Sequence, residues 1–156
     1  MQIKTLFLLG LLLSFAAAAQ TVTATDATQV TKVLTAHDYK FSLDSEDDGT
    51  PLIHLKIDGY KALLLFYDDN PDQPGYESLQ LYAAFSVDDK IPLGKVNQWN
   101  SSYRFGRVYL DEDLDPVIES DLDLSGGVNL EGTLMVFLEN FKADFASFRE
   151  EVVGEK

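Results

Sequence analysis

In a chain without cysteine, any side-chain chemistry must come from carboxylates, histidines, hydroxyls and amines, and here the carboxylates predominate. Two acidic stretches have spacing that invites a test for calcium. Asp121, Asp123, Ser125 and Gly126 fall at the first, third, fifth and sixth positions of an EF-hand loop. That loop needs a bidentate glutamate at its twelfth position, which is Gly132 here. Val117 to Leu124 also alternates as a strand, where an EF-hand needs a helix. Asp44 to Gly49 begins similarly and puts Leu55 in the twelfth place. Both stretches read as solvated turns.

His37 and His54 lack the spaced His, Cys or carboxylate partners of a metal site, so each reads as a surface histidine. There is no G-x-S-x-G elbow, H-E-x-x-H helix, P-loop or dinucleotide fingerprint. No serine can be tied to a base. Carboxylates are abundant enough for two to lie close, but nothing singles out a pair. The reading is therefore no catalytic residues, no cofactor and no metal.

The elements that would position any site follow from period and punctuation. Asp26 is an N-cap with Gln29 three residues on, a capping box, and Ala27, Val30, Val33 and Leu34 form an apolar helical stripe. From Tyr39 the period becomes two, through Phe41 and Leu43, then Ile53, Leu55 and Ile57. Asp58-Gly59 is a hairpin signal leading into the apolar run Tyr60 to Tyr67. Alternation resumes from Leu79 to Val87, giving four strands in an antiparallel meander. A second helix is predicted from Pro92 to Ser101, with Val96, Trp99 and Tyr103 toward the core.

Two more strands, Phe105 to Leu110 and Val117 to Leu124, flank an acidic turn. Gly126-Gly127 then breaks the chain before the N-cap Asn129. Leu134, Phe137, Leu138, Phe141, Phe145 and Phe148 recur at helical spacing beyond it. The order α-β-β-β-β-α-β-β-α predicts an α+β domain, an antiparallel β-sheet packed against helices.

Lys4, the apolar run Leu6 to Phe15 and the small residues Ala16 to Ala19 have the layout of a cleavable signal peptide over residues 1–19. The run falls well short of the roughly 20 residues that span a bilayer. The chain is read as exported to the periplasm or medium, with residues 20–25 a flexible leader and 26–153 one domain. Without disulfides, the core alone must hold that domain. The net charge of −14 repels phosphate backbones and anionic lipid, so neither nucleic acid nor membrane is an expected partner.

Val96-Asn97-Gln98-Trp99-Asn100, Tyr103-Arg104-Phe105, Tyr109-Leu110-Asp111 and Asp121 to Val128 together resemble the YbjN family of bacterial sensory transduction regulators. The resemblance implies the type III secretion chaperone fold and no established enzymatic activity. Many members are cytoplasmic, so the signal peptide is a departure. Asn97, Trp99, Asn100 and Arg104 are the candidate binding or structural residues. Their amides can tie the helix end to the neighbouring strand, and Arg104 can reach the acidic turn or Asp121. Gly126 and Gly127 allow positive φ at the strand-to-helix reversal.

The function these readings favour is a non-enzymatic envelope module that holds a protein or peptide, basic in character, on an open sheet face or edge strand. The alternatives are a small cofactor-free enzyme using a carboxylate pair and a plain dimerisation domain, with a homodimer through Trp99 or an exposed strand.

Overall fold

A computed structural model describes residues 21–71 and 73–154. Residues 1–19, read as a signal peptide, lie outside them. In chain order the elements are β1 (Thr21–Val22), α1 (Ala27–Ala36), β2 (Phe41–Ser45), β3 (Pro51–Ile57), β4 (Tyr60–Asp69) and β5 (Tyr76–Ala84). There follow α2 (Leu93–Ser102), β6 (Arg107–Leu110), β7 (Pro116–Asp123), β8 (Val128–Asn129), α3 (Leu130–Phe148) and a π-helical turn, Arg149–Val153. The larger sheet is antiparallel, in the order β2-β3-β4-β5-β7-β6. With the helices this is an α+β fold.

Local signals account for most of the boundaries. The Asp26 carboxylate accepts from Gln29 N–H at 2.8 Å, and the Gln29 amide oxygen accepts from Asp26 N–H at 3.1 Å, closing the capping box of α1. Asp58 and Gly59 adopt φ of 50° and 90°, as a two-residue hairpin with both central residues left-handed requires. Asn129 caps α3 by accepting from Gly132 N–H at 2.8 Å. At the glycine pair, only Gly127 takes positive φ, 82°.

Three expectations are corrected. Thr21 to Thr25, read as part of a flexible leader, is held down: β1 pairs with β8, and the buried Thr25 bridges Tyr76. β6 begins at Arg107 rather than Phe105, with Ser120 on the Phe105 carbonyl. β5 ends at Ala84 rather than Val87, where Phe85 N–H donates to the Pro116 carbonyl.

The two faces of the sheet differ. Ile53, Leu55, Leu64, Phe66, Leu79, Leu81 and Ile118 point to the helices and are buried with Leu134, Leu138, Phe141, Phe145 and Phe148 of α3. Each such side chain contributes about 1.5–3 kcal/mol by leaving water. Aromatic contacts link Tyr60, Phe85, Phe145 and Phe148, and the Arg149 guanidinium lies 3.9 Å from the Tyr60 ring centroid. Among the described residues, the opposite face carries no helix layer. It presents Leu63, Leu65, Tyr67, Tyr82 and Tyr109, with the buried Glu119 held by Arg107 and by the Tyr109 hydroxyl at 3.2 Å.

Candidate functional site

The four candidate residues of α2 and the following turn divide by role. Asn100 pins the edge of the sheet: its amide donates to the Val108 carbonyl at 2.8 Å and accepts from Val108 N–H at 2.9 Å. One side chain thus covers both groups that an added strand would need at that point of β6. Trp99 is 1% exposed and stacks on Tyr103, with ring centroids 4.7 Å apart. Its indole N–H is buried without a partner. Asn97 is exposed and makes no side-chain hydrogen bond among the described residues. The Arg104 guanidinium lies 5.8 Å from the Phe105 ring centroid, and Arg104 forms no ion pair with the acidic turn or Asp121. Asn100 and Trp99 act together; Asn97 and Arg104 do not join them.

Beyond Asn100 the edge is open, and the backbone bonding shows where. Leu124 N–H donates to the Glu77 carbonyl at 2.8 Å and Phe85 N–H to the Pro116 carbonyl at 3.1 Å. The even-numbered residues of β7 therefore turn their backbone groups toward β5, and the odd-numbered ones turn theirs away. β6 covers that far side only from Pro116 to Glu119. Asp121 and Asp123 are left with N–H and C=O groups on an uncovered edge.

Two side chains stand where the chain's own backbone leaves it. The Ser120 hydroxyl donates to the Phe105 carbonyl at 2.7 Å. Asp144, buried on α3, faces the N–H groups of Phe105 and Gly106. Ser120 holds Phe105 beside β7, Asp144 stands next to Gly106 with its Oδ2 buried and without a hydrogen-bond partner, and β6 starts only at Arg107. Gly106 fits this place because a Cβ there would lie 3.0 Å from the Trp99 ring and 3.2 Å from Asp144 Oδ2. Burial raises the Asp144 pKa above the usual carboxyl value, and the two N–H groups pull it partly back.

A groove of about 390 Å³ runs between this edge and the first half of α3. Its lining includes Phe105, Leu122, Thr133, Val136, Phe137 and Asn140. Phe105 is 56% exposed and Val136 62% exposed, and both line this one groove. Asp121 stands at the margin, its carboxylate accepting from the Gln80 amide at 2.8 Å.

Comparison with known protein families matches residues 26–153 to YbjN, described as "Putative bacterial sensory transduction regulator". The chain belongs to the YbjN family. No curated protein and no solved structure matches it. Within this YbjN chain, the matched region contains α1 through the terminal π-helical turn, and so the whole of the groove.

The histidines sit apart from the groove. His37 meets Glu131 at 2.9 Å at the end of α1, and His54 lies 3.5 Å from Asp44 on the far edge of the sheet. No group of three or more His, Asp or Glu among the described residues is placed to hold a metal ion. Periodicity missed Ser120, Asp144 and Val136. A signal for the second existed: Asp144 interrupts the apolar stripe between Phe141 and Phe145, where an acid needs a specific partner.

Proposed function

We propose that this YbjN protein is an exported, non-enzymatic module of the bacterial envelope that holds a protein or peptide segment of basic character in the groove between β7 and α3. The observation that carries the reading is the uncovered β7 edge flanking an apolar groove with Phe105 and Val136 exposed at it. Backbone groups and apolar side chains offered together are what extended segments use. The net charge of −14 favours cationic partners. An antiparallel sheet with helices on one face also suits the secretion-chaperone layout that the family resemblance implies. A carboxylate-pair enzyme is less well supported, because the two buried acids, Glu119 and Asp144, lie on opposite sides of the sheet.

A photo-crosslinking side chain placed at Val136, and at the exposed Lys95 of α2 as a control, tests the reading in living cells. The Val136 probe should give discrete adducts with envelope proteins and the Lys95 probe none. Equal labelling at both positions would remove the groove from the argument. Export is read from the mass of the envelope-fraction protein, which should begin at Gln20. A product retaining Met1 to Ala19 would sink that part.

A further inference from the structure

We propose that the partner is bound as an added β-strand, antiparallel to β7 and opposite Asp121 to Asp123, and that its sequence alternates basic and aliphatic residues. This rests on the binding reading above and names the chemistry of the partner. Among the described residues, the line left by β6 at Arg107 has no strand beside Asp121 and Asp123, whose backbone groups point into it. In an antiparallel ladder, residues opposite these two exchange both N–H and C=O bonds with them.

Side-chain parity then fixes the composition. Residues directly opposite Asp121 and Asp123 project to the same face as those carboxylates, where a lysine or arginine is matched and an acid repelled. The intervening residue, opposite Leu122, projects to the helix side and meets Leu122, Val136 and Phe137 in the groove. An aliphatic side chain fits there.

A second copy of the chain is a poorer occupant. Two β7 edges paired antiparallel about Leu122 would set Asp121 directly against Asp123 of the other copy, a like-charge pair. The acidic edge excludes itself and accepts a basic strand.

The test uses the mature protein and a fluorescein-labelled heptapeptide of alternating lysine and valine, lysine at both ends, followed by anisotropy. Two further versions carry backbone N-methyl groups, one on the inner lysines and one on the valines. Methylating the lysines, whose N–H groups face β7, should weaken binding by about tenfold or more. Methylating the valines, whose N–H groups face away, should leave binding within about threefold. Asp121→Asn, with its fold checked by circular dichroism, should weaken the parent peptide several-fold and flatten its salt dependence. Equal binding of all three peptides would overturn strand addition while leaving the groove reading intact. No binding of any peptide to the folded protein would overturn both. A concentration-dependent dimer in light scattering, competed by the parent peptide, would overturn the basic partner in favour of a second copy.

Discussion

At one end of the large sheet, β2 turns the backbone groups of Phe41, Leu43 and Ser45 to solvent, because Lys56 N–H donates to the Lys40 carbonyl and the even-numbered residues face β3. At the other end, β6 is covered at Val108 by Asn100, and β7 is bare at Asp121 and Asp123. The first edge is as long as the second but is exposed and flanked by charge. Lys40, just before β2, stands opposite Lys56 of β3, which in turn pairs with Lys61 of β4, and such lysines discourage stray pairing. Both edges have a hollow beside them: the one at β2 is lined by Lys40, Lys56 and Lys61 with Phe41 and Leu55, the one at β7 by Phe105, Leu122, Val136 and Phe137. The contrast separates an edge whose hollow is rimmed by lysines from one whose hollow is largely apolar and walled by α3.

The strongest challenge to that contrast is removal of its support. Trp99→Ala empties the space under Gly106 and beside Tyr103 and should cost about 3–5 kcal/mol in urea unfolding. A loss under about 1 kcal/mol would mean that the β6 end collapses easily and is not a rigid platform. Asn100→Ala should cost less, about 1–3 kcal/mol, because it strands the N–H and C=O of Val108 where water has partial access. It should also add a second open stretch on β6, read as increased self-association in light scattering. Unchanged stability and mass would show that the Asn100 bonds are replaceable by water.

These residues also show how far the sequence could be read. Asn97 and Asn100, beside Trp99, read as amides tying the helix end to the strand, and of the two Asn100 does so; the order of the main elements follows from period changes and turns such as Asp58-Gly59. The open edge was not recognisable. It depends on β6 stopping two residues early, and the side chains beside that stop, Ser120 and Asp144, are 15 and more residues from Phe105 in the chain. Local propensity carries no information about such distant acceptors and donors. The two-residue strands β1 and β8 were hidden for a similar reason, since their pairing is long-range and too short for a period.

Asp144 sharpens the comparison through pH. Its pKa is raised in the folded chain by burial, so folding favours the protonated form. Stability from this group is therefore full below the ordinary carboxyl value of 3.8 and falls as pH rises through the raised one. Asp144→Asn is uncharged throughout and keeps an acceptor for Phe105 and Gly106. Its urea midpoint relative to the parent should be near equal at about pH 3.5 and should rise in its favour toward about pH 7. A difference that does not change with pH would show that Asp144 is effectively solvated.

The smallest effect belongs to the protected edge. Leu43 is 56% exposed on β2 and does not line the lysine-rimmed hollow at that edge. Leu43→Lys removes little buried area and places a charge on the face of Ile53 at the margin of the sheet, the face opposite Lys56. Stability should shift by no more than about 0.5 kcal/mol, and affinity for the lysine-valine peptide should be unchanged. A clear loss of peptide binding in this variant, with the fold intact, would move the docking site to the β2 end. The exposed Phe105 and Val136 would then count as ordinary surface apolar groups, of which Leu93 and Leu114 are others.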